Sequence, residues 1–163
     1  MEILNQLTKE MITFYKGDPD RIQHFIKVHS FAKLIGESEN LDKDTLFTLE
    51  SAALVHDIGI KVAEDKFGYQ TGKLQEELGP APTREMLSKL GFEADVIDRV
   101  CYLVAHHHTY TNVDGIDYQI LLEADFLVNL FEGNESKDAV TTALDNIFKT
   151  KCGIEICKTM FDV

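Results

Sequence analysis

The sequence predicts an all-α fold, a compact bundle of about seven to nine helices forming one domain. Apolar side chains recur every three or four positions along most of the chain, and neither a strand-like alternation nor an internal repeat competes with that period. The 163 residues, 44% of them hydrophobic, supply one sizeable core. Because no linker-like stretch interrupts the pattern, we expect a single domain over residues 1–163.

Three amphipathic helices are predicted before residue 60. The first follows from the apolar stripe in the opening segment, MEILNQLTKEMITFYKGD. Asp18 is a capping residue with Pro19 at the first helical position, and this pair opens the second helix. Asp42 opens the third, which we expect to stop near Gly59 because glycine commonly ends a helical pattern.

The second half of the chain begins with a polar, glycine-bearing segment, Lys61 to Pro82. It predicts a short helix plus loops, which we expect to cover the cavity and to set specificity. A loop is also predicted from Thr109 to Gly115. Further helices are predicted at residues 82–91, 93–107 and 118–131, followed by two through Phe148 and Phe161.

Composition excludes several classes of function. With 16 basic and 28 acidic residues the formal charge is −12, which argues against extended nucleic acid as a partner. The most apolar stretch, residues 120–131, contains Glu123 and Asp125, so we expect no membrane span. Neither a signal peptide nor a zinc-like cysteine spacing is present, which predicts a cytoplasmic protein with reduced thiols. Apolar helix faces at either terminus could serve a homodimer.

The candidate chemistry lies in histidines and aspartates within apolar segments. His24 shares an inward stripe with Val28 and Ala32, where a lone histidine is often a satisfied core residue. His29 lies five positions later on a different face. The residue pattern alone leaves either histidine open as a metal ligand.

The pair His56-Asp57 indicates a metal site more strongly than His24 or His29 does, since it stands at a predicted helix end. Adjacent helical side chains diverge by about 100°, so both reach one ion only if that ion lies against the helix end. Asp125 is surrounded by apolar side chains and needs a partner: a metal, an arginine or a helix cap. Helical periodicity points His107 inward and leaves His106 or His108 at the cavity rim, although such a run can also be a solvated helix end.

Together these motifs resemble a known family, the HD-domain superfamily of metal-dependent phosphohydrolases. The resemblance comprises R-x-x-H-x-x-x-V-x-x-x-A, then H-D-I-G, a histidine doublet, and A-D in an apolar helix. It implies an all-helical HD bundle with its core at about residues 20–131 and helical extensions at both ends. It also favours His24 over His29 as the first ligand. The metal ligands that the resemblance implies are His24, His56, Asp57 and Asp125.

Two departures from the family pattern bear on the number of metals and on the substrate contacts. Members with two metals usually have a histidine where the segment QEELG places Gln75, so one ion is favoured over two. Ile60 occupies the position of a lysine that contacts substrate in many members, and Lys61 follows it. The residues that remain for a second metal or for the cavity rim are His106, His107, His108, Glu76 and Glu77.

These ligands predict a metal-dependent phosphohydrolase that cleaves a small phosphate ester or nucleotide by metal-activated water. The donor set suits a divalent transition metal: Fe, Mn, Ni, Co or Zn. Asp57, or another nearby carboxylate, would accept a proton, His107 would stabilise charge or protonate the leaving group, and Arg21 and Lys61 are candidate substrate contacts. The alternatives are a di-iron HD-type oxygenase and a catalytically silent metal-binding regulatory module.

Overall fold

The structure, a computed structural model, describes residues 2–163, and in that range it contains helices and no strand. The predicted all-α class is confirmed. The described chain has ten helices, one more than the upper end of the prediction. They are α1 (Glu2–Phe14), α2 (Pro19–Ser38), α3 (Lys43–Val55), α4 (Ile58–Phe67), α5 (Gly72–Leu78), α6 (Pro80–Leu90), α7 (Ala94–His106), α8 (Ile116–Glu132), α9 (Lys137–Asn146) and α10 (Lys151–Phe161).

Side-chain caps begin the helices where the sequence predicts them. The carboxylate of Asp18 accepts a hydrogen bond from the amide of Arg21 at 3.2 Å, and Asp42 accepts one from the amide of Thr45 at 2.9 Å. Each bond satisfies an amide that has no partner within its own helix. The same arrangement begins α5, α9 and α10, where the capping residues are Thr71, Ser136 and Thr150.

The third helix ends earlier than the sequence predicts. It stops at Val55 instead of near Gly59, and His56 and Asp57 form a turn before α4 begins. The hydroxyl of Tyr15 donates to the carbonyl of Asp57 at 2.6 Å, which ties this turn to the end of α1. The following segment is also more helical than predicted: α4 and α5 occupy most of residues 58–78.

The core lies where α2 packs against both α3 and α8, and where α7 packs against α3 and α6. Helix α8 is buried on nearly its whole circumference, yet it carries two carboxylates, Glu123 and Asp125. Glu123 accepts hydrogen bonds from the amides of Lys149 and Thr150 at 3.1 Å, so it is satisfied by the start of α10. Asp125 has no such helix end to bind and faces the cluster described below.

Glycines let α5 approach its neighbours closely. A Cβ on Gly59 would lie 2.6 Å from the carbonyl oxygen of Gln75, and one on Gly79 would lie 2.6 Å from a methyl group of Val104. Real Cβ atoms do not approach other atoms so closely, so both positions need glycine. The approach holds α5 against α4 and brings Gln75 next to α7.

Two further sequence expectations concern the membrane and the cysteines. No helix within residues 2–163 combines the length and the apolar content that a bilayer crossing requires. Cys101, Cys152 and Cys157 are all free thiols. Burial, followed by the nearby charge of Glu123, raises the pKa of Cys157 to about 11, so this thiol is unreactive at neutral pH.

Replacing Gly59 with Ala is expected to lower the free energy of unfolding by roughly 1–3 kcal/mol, because the added methyl group overpacks the α4–α5 contact. Denaturant unfolding followed by circular dichroism measures this change. Lys66→Ala, on the exposed side of the same helix, is the matched control and should change stability by less than about 0.5 kcal/mol. Equal effects of the two substitutions would contradict the close approach.

Candidate metal centre

Four side chains from distant parts of the sequence meet in the interior. His24 comes from α2, His56 and Asp57 from the turn between α3 and α4, and Asp125 from α8. Their relative exposures are 6%, 0%, 8% and 5% respectively. Polar groups of this kind are rarely so deeply buried unless they are paired with each other or bind a metal.

The metal-binding atoms of these residues converge on one point. Nε2 of His24 lies 3.0 Å from Oδ2 of Asp57 and 3.2 Å from Oδ1 of Asp125. Nε2 of His56 lies 3.3 Å from the same two oxygen atoms. The two Nε2 atoms are themselves 3.3 Å apart. The structure therefore brings together the four residues that the resemblance implies as ligands.

His29 lies outside this cluster. Its Nε2 atom pairs with Oε1 of Glu50 on α3 at 2.9 Å. The structure therefore places His24 in the cluster and His29 outside it, because the two side chains leave α2 in different directions.

Hydrogen bonds behind the cluster orient both imidazoles. Nδ1 of His56 donates to the carbonyl of Ala53 at 2.7 Å, and Nδ1 of His24 donates to Oε1 of Glu132 at 2.6 Å. A neutral imidazole whose proton is on Nδ1 has its lone pair on Nε2. With both rings in that form, the lone pairs on Nε2 would face the two carboxylates, which themselves only accept. Such outer partners are typical of metal-binding histidines.

The electrostatics of the cluster call for a positive charge. Burial lowers the pKa of His24, but hydrogen bonds with Asp125 and Asp57 outweigh it and raise this pKa to about 10. Burial raises the pKa of Asp57 and of Asp125, but the charge of His56 outweighs it, and both end below their usual range. The raised pKa values of His24 and His56 make protons on these imidazoles one source of that charge. A divalent cation fits the same set of nitrogen and oxygen donors.

The three consecutive histidines have different surroundings. His107 is buried, its Nδ1 donates to the carbonyl of Val104 at 2.7 Å, and its Nε2 lies 3.4 Å from Oδ1 of Asp57. His108 is half-buried beside it, with ring centroids 4.1 Å apart. His106 instead stacks on Tyr102 and donates to its carbonyl, away from the cluster. Of the three, His107 and His108 face the site.

The two glutamates of α5 do not face the cluster. Oε2 of Glu76 accepts hydrogen bonds from the amide of His108 at 3.0 Å and the hydroxyl of Thr109 at 2.9 Å. Glu77 is exposed, 3.9 Å from Lys73. Oε1 of the neighbouring Gln75 lies there instead, 3.2 Å from Nε2 of His107 and 2.8 Å from Nε2 of His108. A role for Glu76 or Glu77 at a second metal or at the cavity rim stays a prediction.

An open cleft of about 590 Å³ reaches the cluster and is lined by His24 and Arg21. Arg21 is partly exposed and lies 3.7 Å from Glu64, so its guanidinium can reach a ligand in the cleft. Lys61 instead pairs with Asp65 at 3.0 Å on the surface of α4. The structure places Arg21, and not Lys61, beside the cluster.

Three supporting residues are absent from the sequence-based set. Asn129 donates to Oδ1 of Asp125 at 2.9 Å, Glu132 accepts from His24, and Tyr15 holds the Asp57 carbonyl. The spacing of Asp125, Asn129 and Glu132, at i, i+4 and i+7 on one helix face, is a signal that could have identified two of them. Nothing in the sequence around Tyr15 indicates its contact, because the contact joins distant segments.

Comparison with known proteins agrees with this geometry. The family model described as HD domain matches residues 21–143, most of the chain. The chain belongs to the HD domain family. As an HD domain it is similar to the solved structure of a predicted HD superfamily hydrolase from an uncultured Thermotogales bacterium. The two share 25% identity with a TM-score of 0.66, over 99% of this chain and 84% of that one. Among curated proteins, none matches this sequence significantly.

Replacing His24 with Ala is expected to remove most of the bound metal, because it deletes one of the four converging donors. His29→Ala is the matched control on the same helix and should leave the metal content unchanged. Elemental analysis of the purified variants measures the metal, and circular dichroism checks that helix content is retained. Metal loss from the His29 variant alone would show that the cluster is not the binding site.

Removing the metal with EDTA is expected to lower the melting temperature, since an ion that binds only the native state stabilises it. At an ion concentration about 100 times the Kd, the stabilisation is about 2.7 kcal/mol, or roughly 5–10 °C for a chain of this length. Calorimetry of loaded and stripped protein measures the shift. The same melting temperature for both forms, with removal verified, would contradict a native-state metal site.

Proposed function

We propose that this HD domain protein is a metal-dependent phosphohydrolase acting on a small phosphate ester or a nucleotide. The observation that carries the proposal is the convergence of four donors, from His24, His56, Asp57 and Asp125, on one buried point beside an open cleft. Membership of the HD domain family and likeness to a protein described as an HD superfamily hydrolase both support hydrolysis.

The charge distribution around the cleft supports a phosphorylated ligand. A divalent ion bound by the four donors would lower the pKa of water and neutralise charge that develops on the phosphoryl oxygens. Arg21 would bind a non-bridging phosphoryl oxygen, because its guanidinium lines the cleft and its pairing with Glu64, at 3.7 Å, is weak. The net charge of −12 disfavours long polyanions, so a small substrate fits best.

Asp57 and His107 are the residues proposed to move protons. Oδ1 of Asp57 and Nε2 of His107 lie 3.4 Å apart, next to the converging donors. As the oxygen of the attacking water bonds to phosphorus, Asp57 accepts its proton. As the bond from phosphorus to the leaving oxygen breaks, protonated His107 gives that oxygen a proton through Nε2. The bond from Nδ1 to the Val104 carbonyl keeps the ring in place throughout.

The remaining expectations stay predictions. They are a cytoplasmic location, a homodimer, a choice among Fe, Mn, Ni, Co and Zn, and a contact between Lys61 and the substrate. The di-iron oxygenase and the silent regulatory module stay as the alternative functions. Oxygen consumption by the iron-loaded protein would favour the first, and metal binding without any turnover would favour the second.

Replacing Asp57 with Asn is expected to lower phosphohydrolase turnover by about 100-fold or more, because the amide neither accepts the proton nor binds the cation as a carboxylate does. The assay uses metal-loaded protein with chromogenic phosphate monoesters and diesters, and then a panel of nucleotides. Circular dichroism confirms that the variant is folded.

The control for this experiment is Asp65→Asn, which changes a carboxylate on the surface of α4 that pairs with Lys61. It should retain the turnover of the unmodified protein. Full activity of the Asp57 variant, or of protein shown to be free of metal, would refute the proposed function.

A further inference from the structure

Exposed aromatic side chains border the cluster on two segments of the chain. Phe67 and Tyr69 lie where α4 ends, and Tyr110 lies on the loop between α7 and α8. The two segments meet at His108, because a Cβ on Gly72 would lie 3.0 Å from Cγ of the His108 ring. They hold three of the four aromatic side chains that are exposed in the described part of the chain. Aromatic rings at the rim of a polar site are a surface that ligands commonly cover.

Tyr110 is the exposed ring whose position is best fixed. It packs edge to face on Phe126, with ring centroids 5.3 Å apart and planes at 69°, and Phe126 itself packs against the core. The hydroxyl of the preceding residue, Thr109, donates to Glu76, and its carbonyl accepts from the hydroxyl of Tyr118. The ring is therefore held in place while 45% of the residue stays exposed.

The pair of rings continues the cleft past the cluster. Phe126 directly follows Asp125, and Asn129, which lines the cleft and donates to Asp125, lies one turn further along α8. The helical rise places Phe126 and Asn129 only about 4–5 Å apart along the axis. Burial raises the pKa of Tyr110, and the charges of Asp125 and then of Glu76 raise it further, which agrees with a position beside the cluster.

The two ends of this surface differ in chemistry. Arg21 and Asn129 offer hydrogen bonds to a phosphoryl group at one end, whereas Tyr110 offers an uncharged aromatic face at the other. Aromatic side chains attract other flat rings in offset-stacked or edge-to-face arrangements, and every nucleobase has such a face. The part of a substrate that extends from the phosphoryl group towards Tyr110 is the alcohol part of the ester.

We propose that Tyr110 is a specificity-determining residue that binds a planar aromatic ring on the leaving-group side of the phosphate ester. The proposal rests on the proposed function, since it concerns the alcohol part of the same substrate. The ring belongs either to a nucleobase or to an aryl alcohol, which share the same stacking chemistry. Because the contact is the same before and during cleavage of the ester, it lowers KM and leaves kcat unchanged.

The test compares two pairs of substrates on the metal-loaded full chain. Benzyl phosphate has an aryl ring that butyl phosphate lacks, and adenosine monophosphate has a nucleobase that ribose phosphate lacks. Tyr110→Ala removes the stacking surface, so it should raise KM about tenfold for the ring-bearing member of a pair and leave kcat unchanged. The ring-free member should keep its KM. The pair that responds identifies the source of the ring.

Two variants serve as controls. Tyr110→Phe keeps the ring and should keep the KM of the unmodified protein. Leu34→Ala truncates a side chain of similar exposure, 49%, near the end of α2, and should also leave KM unchanged. Equal increases in KM for ring-bearing and ring-free substrates in Tyr110→Ala would show a structural role and overturn the proposal. Unchanged KM values for all four substrates would do the same, and gel filtration would then show whether the ring contacts a second copy instead.

A binding measurement separates this proposal from the proposed function. The chain contains no tryptophan, so Tyr110→Trp introduces a single indole. Phenylphosphonate, which has no ester bond, should shift the emission of that indole saturably to shorter wavelength, because its ring excludes water there. Methylphosphonate should not. This shift without turnover by the unmodified protein would refute phosphohydrolysis and support the ring site. Turnover without the shift, and without a change of KM in Tyr110→Ala, would overturn the ring site alone.

Discussion

The concentration of lone pairs at one buried point constrains the rest of this molecule. His24, His56, Asp57 and Asp125 can share that point only if positive charge is supplied there, by protons or by a cation. Helix α2, the turn after α3 and helix α8 must therefore meet at a fixed distance, and these are the helices that form the centre of the core. The apolar packing and the polar cluster thus specify the same arrangement.

Much of the remaining polar structure supports this cluster from behind. Ala53 and Glu132 orient the imidazoles, Asn129 binds Asp125, and Tyr15 holds the turn at its carbonyl. Each contact removes rotational freedom from a donor before any ligand arrives. Preorganisation of this kind lets a site bind a cation without first ordering its own side chains, which is why loss of an outer partner typically costs about 10- to 100-fold in metal affinity.

The acidic character of the chain limits what the cleft can bind. A surface with a net charge of −12 repels polyanions, so in the proposed function attraction for a phosphate group would have to come from a cation and from Arg21 at short range. Glu132 and Glu64 line the same cleft. The rim is therefore negatively charged, whereas attraction for an anion is confined to the centre. In the proposed function, selection for a small substrate and dependence on a metal would therefore have one electrostatic origin.

The sequence by itself determined the helical class and the caps at Asp18 and Asp42, because periodicity and capping are local properties. The residues of the main cluster followed from the family resemblance and not from periodicity alone. Only the tertiary structure decided the break at His56-Asp57, the separation of His24 from His29, and the direction of α5. Sequence reasoning named Glu76 and Glu77 as candidates for a second metal or the cavity rim, whereas the side chain of α5 that faces His107 and His108 is Gln75. Which face of a short helix points inward depends on contacts with distant segments, here the glycines that seat α5 against α4 and α7.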